Sequence, residues 1–329
     1  MKEPAFYVSM SPHAHRGFTL QRMNLEILIA LLPAIFAGWF FFGIDALRVV
    51  VTSAFGAVLA ELVWQKLLKR PVTVSDSSAL VTGVTLGLLL SPSVPCWVVL
   101  LGSILAIIVG KQLFGGTGCN PFNAALVGWA MIQVSYTGIM ESYPMPHPMG
   151  LIAAGEYTEY PLVDLFKLDG WQYVKTLLGY LPTRDLLVGN VPGSVGTTSV
   201  LAVLLGGIYL LARRIITWEI PVCFLASAWV FAFIFNTVDP AVYPGPNFMI
   251  LAGWTMMAAF FLMPDKGTSP VTVPGMIVYG ICGGMLAMTM RLWGTYMEGI
   301  SFAILLMNSL TPLLDRIRPS VIGRVKEVA

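Results

Sequence analysis

Ten apolar stretches, each 15 to 21 residues long, constrain this chain more than any other feature of its sequence. They run approximately over 25–43, 46–66, 77–91, 96–114, 121–140, 196–216, 218–236, 247–264, 274–293 and 299–314. About 20 apolar residues in a helix cross the roughly 30 Å hydrocarbon core of a bilayer. Of the 329 residues, 57% are hydrophobic and 11% charged, against about 25% charged in an ordinary soluble domain. Too few charges remain to clothe a water-facing globule, so the outer surface must meet lipid. The reading is an all-α integral membrane protein with about ten transmembrane helices. A water-soluble enzyme and a disordered chain are excluded, and a net charge of +2 offers no basic stripe for nucleic acid.

Cysteine and histidine supply little chemistry. Cys96, Cys119, Cys223 and Cys282 are scattered without a C-x-x-C pair, so neither a disulfide framework nor a zinc site is readable. His13, His15 and His147 all fall outside the apolar stretches, which argues against intramembrane haem ligation. The first 24 residues are polar and show no signal peptide.

Lys and Arg set the orientation through the positive-inside bias. With a cytoplasmic N-terminus, fourteen of the 19 basic residues fall inside and five outside, namely Arg48, Lys167, Lys175, Arg184 and Arg291. Both termini are then cytoplasmic. The expected organisation is a cytoplasmic segment over 1–24, a first set of five helices over 25–140, a periplasmic loop over 141–195, a second set over 196–314 and a cytoplasmic tail over 315–329. The outer loop carries six acids: Glu141, Glu156, Glu159, Asp164, Asp169 and Asp185.

The two sets look related. Lys111 to Leu126 can be laid on Arg291 to Leu306 at a constant offset of 180 positions, each at the junction of the fourth and fifth stretch of its half. A repeat of five spans inserts its second copy upside down, which predicts an inverted repeat. The third stretch of each half is short or broken: Ser77 to Ser91 ends at Ser91-Pro92-Ser93-Val94-Pro95, and 247–264 ends at Pro264-Asp265-Lys266-Gly267. Transporters use such breaks to place free N–H and C=O groups near the midplane; a short helix followed by a proline turn gives the same pattern.

Several motifs, taken in order, resemble those of the NqrB/RnfD family, the integral-membrane subunits of Rnf-type ion-translocating oxidoreductases and their relatives. They are Ser11-Pro12-His13-Ala14-His15, Asp76-Ser-Ser-Ala-Leu80 with Thr82-Gly83, Gly110-Lys111-Gln112 with Gly115-Gly116 and Asn120-Pro121-Phe122-Asn123, Gly193-Ser194-Val195-Gly196, and Asp265 with Thr268-Ser269-Pro270. The resemblance covers nearly the whole chain. It implies two inverted five-helix repeats similar to those of urea transporters. It also implies electron transfer through bound flavin, riboflavin or FMN, between ferredoxin and NAD couples, linked to sodium or proton translocation. The implied partners are two membrane subunits that hold an iron–sulfur centre, a periplasmic flavin subunit, and cytoplasmic iron–sulfur and flavin subunits.

Asn120, Phe122 and Asn123, with Asp265, Thr268 and Ser269, are the residues the resemblance assigns to a noncovalent flavin. Asn amides match a flavin's acceptors and its N–H donor, and Phe122 can stack on the ring. A compatible alternative makes Asn120 the cap of the fifth helix with Pro121 at its first position. Asp265 and Lys266 form either a buried pair or one in interfacial water. Glu61 is the carboxylate set well within an apolar run, a default ion-pathway candidate; the alternative has it reaching cytoplasmic water beside Lys66.

One departure concerns covalent flavin. Relatives carry a Ser-x-Ala-Thr-Pro-Leu stretch whose threonine holds FMN, whereas here Thr158-Glu159-Tyr160-Pro161-Leu162 puts Tyr160 in that place. Thr158 could serve only through a shifted attachment site, so the loop is expected to lack covalent FMN. Pro264 and Lys266 likewise flank Asp265 in place of the threonine and the small or aromatic residue usual in relatives. A permease or channel of the urea-transporter type shares the fold and stands as the alternative function.

Overall fold

The computed structural model describes residues 19–146, 157–158, 166–167, 170–174, 176, 183–294, 296 and 299–317. Its main helices in the first half are α1 (Leu20–Phe42), α2 (Ile44–Leu67), α3 (Ser78–Leu89), α4 (Cys96–Ile108) and α5 (Ala124–Ser135), the last followed by a single turn over Thr137–Met140. In the second half they are α6 (Val200–Ala212), α7 (Glu219–Val238), α8 (Pro246–Leu251), α9 (Thr255–Met257), α10 (Val273–Trp293) and α11 (Ile300–Leu314). Each of the ten apolar stretches therefore holds helix. Among the described residues, five helical segments are both long and apolar enough to cross a membrane: α1, α2, Cys96–Phe114, α7 and α10. The protein is a mostly helical, multi-pass membrane protein.

Side chains explain the close packing. In α1 and α6, which pack together, a methyl added at Gly206 would lie 2.1 Å from the Ala30 carbonyl oxygen. A methyl at Gly83 of α3 would lie 2.7 Å from the Ala54 Cα of α2, where the Ser53 hydroxyl also donates to the Gly83 carbonyl at 2.7 Å. Small residues let helix backbones approach where lipid gives no hydrophobic drive for helices to associate. A tight polar lock also joins α1 to α6: Glu26, 6% exposed, accepts from Arg213 and from the Tyr209 hydroxyl.

The third stretch of the first half is short, as its length suggests, while that of the second half breaks within the stretch at 252–254, ahead of the expected stop at Pro264. The α3 helix has 12 residues, about 18 Å at 1.5 Å per residue, and ends inside the protein. Its last carbonyls find donors from the far half: Gly196 N–H reaches Leu88 O at 2.7 Å and Val195 N–H reaches Leu90 O at 3.0 Å. In the second half α8 stops at Leu251, Gly253 takes a positive φ of 66°, and the chain resumes as α9 followed by a π-turn over Ala258–Leu262. Non-helical backbone at such depth survives only where protein satisfies it.

Across the two halves, the Trp129 ring of α5 lies 4.7 Å from Trp254 and 5.8 Å from Phe302, edge to face. Described parts of the 141–195 loop dock on the second half. Phe166, Trp171, Leu186 and Val191 cluster with Ala228, Ala232 and Phe248, and Lys167 donates to the Gly294 and Tyr296 carbonyls. A two-stranded antiparallel sheet pairs β1 (Tyr143–Pro144) with β2 (Tyr157–Thr158).

Candidate functional site

A buried charged cluster forms where α2, the start of α3 and the end of α4 meet. Glu61 of α2 is 0% exposed and Lys111, just past α4, is 3% exposed. The Lys111 ammonium donates to Glu61 Oε1 at 2.8 Å, the Gln112 amide donates to the same oxygen at 2.7 Å, and Gln65, one turn along α2, does so at 3.2 Å. Glu61 Oε2 has no hydrogen-bond partner among the described residues. The alternative in which Glu61 reaches water beside Lys66 is thus replaced by an internal ion pair with Lys111. Breaking such a pair by removing one partner costs about 3–5 kcal/mol, because the other charge stays buried.

The cluster continues outward. Lys111 also donates to the Ser78 hydroxyl at 2.5 Å, and that hydroxyl donates to Asp76 Oδ1 at 2.5 Å. The exposed Thr117 hydroxyl donates to Asp76 Oδ2 at 3.2 Å and lies 3.0 Å from Ser78 Oγ. Four side chains link the buried carboxylate to the protein surface.

A second constellation brings together residues far apart in the chain. A methyl built on Gly267 would lie 3.2 Å from Asn120 Oδ1, so the 120–123 and 265–269 loops touch. Asn123, rather than Asn120, caps α5: its Oδ1 accepts from the Ala125 and Leu126 N–H groups, while Asn120 Nδ2 closes the turn on the Phe122 carbonyl. The helix therefore starts after Asn123, not at Pro121. Asn120 Oδ1 and Asn123 Nδ2 make no hydrogen bond to another described residue, leaving one acceptor and one donor.

On the other loop, the Thr268 and Ser269 N–H groups reach the Asp265 carbonyl at 3.1 and 2.9 Å, and Thr311 of α11 donates to the Thr268 carbonyl at 2.7 Å. Asp265 as a residue keeps some surface, but its carboxyl is enclosed. Burial pushes that carboxyl above the usual range, and the Gly267 N–H and Thr268 hydroxyl partly offset the rise. Lys266 is exposed, and among the described residues no ion pair joins it to Asp265.

Phe122 also lines an apolar cavity of about 520 Å³ with Met290, Tyr296, Phe302, Leu305 and Ser309. That volume lies within the range for small-molecule sites, roughly 300–1,000 Å³. Phe122 is the residue of the 120–123 loop that lines the cavity, and its ring with those of Tyr296 and Phe302 suits a planar heterocycle. No group of three or more metal-ligating side chains occurs among the described residues. Thr158 lies in β2 with its backbone opposite Tyr143; Tyr160 falls outside the described residues.

Sequence reasoning missed three buried contributors. The positive-inside count places Lys111 on the inner side and Arg291 on the outer, yet both are buried. Arg291 donates to the Met249 carbonyl at 2.6 Å, the Ala252 carbonyl at 2.6 Å and the Thr255 hydroxyl at 2.7 Å. The third is Glu26, a carboxylate inside α1 that pairs with Arg213. The usable signal was a single cation at the end of each fourth stretch, at the constant 180-residue offset.

The sequence profile of the NQR2, RnfD, RnfE family matches residues 7–323. The chain is 38% identical over 327 residues, 96% of its length and 94% of the relative, to the D subunit of the Na(+)-translocating ferredoxin:NAD(+) oxidoreductase complex of Acetobacterium woodii. It is 34% identical over 318 residues, covering 96% and 95%, to the D subunit of the proton-translocating ferredoxin:NAD(+) oxidoreductase complex of Clostridium ljungdahlii. The D subunit of an ion-translocating oxidoreductase complex of Halorhodospira halophila matches at 35% over 339 residues, covering 96% and 95%.

Proposed function

The chain belongs to the NQR2, RnfD, RnfE family, and from that premise we propose that it is the membrane-embedded D subunit of an ion-translocating electron transport complex. The observation that carries this reading is the nearly full-length match to relatives named as the D subunit of such complexes. The chain is one component of a redox-driven translocase, working between ferredoxin and NAD couples and moving sodium or protons. Those relatives lend no support to the permease alternative.

The architecture proposed is two inverted five-helix repeats of the urea-transporter kind. It is supported by helix in all ten stretches, by the interrupted third stretch of each half, and by the matched contacts of Lys111 with Ser78 and Arg291 with Thr255. The protein resides in the bacterial inner membrane with both termini cytoplasmic, in keeping with the bias of Lys and Arg.

Noncovalent flavin, riboflavin or FMN, is held where the 120–123 and 265–269 loops touch. Asn120 and Asn123 offer their amides to its polar edge, Phe122 offers a ring face, and Thr268 and Ser269 with Asp265 close the second side. When bound, a flavin supplies reversible electron transfer that no side chain here provides. The outer loop carries no covalent FMN, because Tyr160 stands where relatives attach it and Glu159 takes the place of the small residue that normally precedes the attachment threonine. Partners are two membrane subunits holding an iron–sulfur centre, a periplasmic flavin subunit, and cytoplasmic iron–sulfur and flavin subunits. Glu61 belongs to the ion pathway.

The test is purification of the membrane complex through a tag on this chain. Copurifying iron–sulfur and flavin subunits, with ferredoxin-driven NAD reduction coupled to ion uptake in vesicles, is the expected result. A chain that purifies alone without flavin overturns the reading.

A further inference from the structure

The relatives divide over the ion, one named for protons and one for sodium, and the chemistry around Glu61 bears on that division in this chain. Three N–H donors crowd Glu61 Oε1: Lys111 at 2.8 Å, Gln112 at 2.7 Å and Gln65 at 3.2 Å. Hard cations are held by oxygen ligands, and an ammonium at this distance repels a second cation. The remaining oxygen, Oε2, is buried and without a partner among the described residues, so the carboxyl can carry a hydrogen without displacing any donor. A proton fits here where sodium does not.

We infer that Glu61 is the inner end of a proton relay that enters at Asp76 and passes through Ser78 and Lys111. This rests on the function proposed above and names the ion for its Glu61 pathway. The relay follows a continuous line of contacts: Lys111 Nζ to Ser78 Oγ at 2.5 Å, Ser78 Oγ to Asp76 Oδ1 at 2.5 Å, and Asp76 Oδ2 to the exposed Thr117 hydroxyl at 3.2 Å. In the first step the Lys111 ammonium gives a proton to Glu61 Oε1 along their 2.8 Å contact, leaving both neutral, and a half-turn of the carboxyl then brings the protonated oxygen to the unpartnered Oε2 position. In the second step a proton arriving on Asp76 passes to Ser78 Oγ as the Ser78 hydroxyl proton moves to Lys111 Nζ. The net change is one proton taken from the aqueous side and one neutral carboxylic acid at Glu61, with Ser78, Lys111 and Asp76 restored. Besides Glu61 itself, the charged groups of the relay are Lys111, beyond α4, and Asp76, before α3; Gln65 and Gln112 are neutral, and among the described residues no charged side chain of α1 contacts Glu61.

The mouth of this relay adjoins the candidate flavin loop. Thr117 precedes Asn120 by three positions on one Gly-rich connection between α4 and α5. A flavin held there would place its change of charge on reduction beside the point where protons enter, giving redox chemistry a physical route to the relay.

The experiment uses the whole complex carrying the wild-type, Glu61→Gln or Asp76→Asn chain. Redox-induced infrared difference spectra are recorded in H2O and D2O, and proton uptake is followed in vesicles. The wild type is expected to show a protonated-carboxyl C=O band on reduction that shifts in D2O. Glu61→Gln loses that band together with proton uptake, whereas Asp76→Asn keeps the band but slows its rise several-fold. Asp76 is half-buried and outside the α-helices, so its variant carries the test should Glu61→Gln fail to assemble. A band that survives in Glu61→Gln, follows sodium concentration, or rises at an unchanged rate in Asp76→Asn overturns the relay. Wild-type vesicles that transfer electrons yet move no ion would instead defeat the function reading, while the D2O-sensitive band still reports on Glu61.

Discussion

Lys111 and Arg291 stand 180 positions apart, and each donates a hydrogen bond to the hydroxyl at the first residue of a helix in an interrupted third stretch: Ser78 of α3 and Thr255 of α9. Their compensation differs. Lys111 faces the Glu61 carboxylate, whereas Arg291 spreads its charge over the Met249 and Ala252 carbonyls that the end of α8 leaves free. A guanidinium suits the second setting because its planar fork reaches several acceptors at once.

Arg291 therefore holds the break between α8 and α9 together. Arg291→Met takes the donor from the buried Ala252 carbonyl, at about 1–3 kcal/mol for a buried group left unpaired, while the Thr255 hydroxyl and the Met249 carbonyl keep their bond to each other at 2.9 Å. Its thermal unfolding midpoint in detergent should fall well below wild type, with Arg291→Lys between the two. Equal midpoints for all three proteins would show that the contacts contribute nothing.

Close approach of α1 and α6 gives a second expectation. Gly206→Ala places a methyl 2.1 Å from the Ala30 carbonyl oxygen, a backbone atom that cannot swing aside, so the helices must separate. Overpacking of this kind typically costs about 1–3 kcal/mol. Gly138→Ala, with nothing within 4 Å of the added methyl, should be close to neutral in the same unfolding assay.

The contact between Gly267 and Asn120 predicts where flavin content is sensitive. Gly267→Val drives its branched side chain into the Asn120 amide, and the ratio of extractable noncovalent flavin to complex should fall several-fold. Lys266→Ala, altering an exposed neighbour, should leave the ratio unchanged. Unaltered flavin in Gly267→Val would move the site elsewhere.

Covalent flavin is open to direct inspection. The denatured, acid-precipitated protein should give no fluorescent band, and peptides spanning Thr158 should have unmodified mass. The double variant Glu159→Ala/Tyr160→Thr, expressed with the attachment enzyme, should gain a fluorescent band. FMN found on wild-type Thr158 would show that the enzyme accepts a shifted site.

Lipid as the solvent, the ten apolar stretches and their helical character were determined by the sequence alone. Runs of about 20 apolar residues have few ways to satisfy their backbone groups in hydrocarbon other than by forming helices. The stop of the third stretch in the first half was legible too, since Pro92 and Pro95 cannot continue a helix; in the second half the Pro264–Pro270 turn marks the end of the stretch, whereas the break at 252–254 inside it came only from the tertiary structure. Tertiary structure alone decided the partners of the charges, because Glu61 meets Lys111 fifty residues away and Glu26 meets Arg213 from the other half of the chain. Charge counting assigned Lys111 and Arg291 to the aqueous sides, since sequence carries no information on depth for a residue at the end of a span. Packing of α2, α3 and α4 drew Lys111 inward, where an unpaired ammonium would be costly and the Glu61 carboxylate offsets that cost.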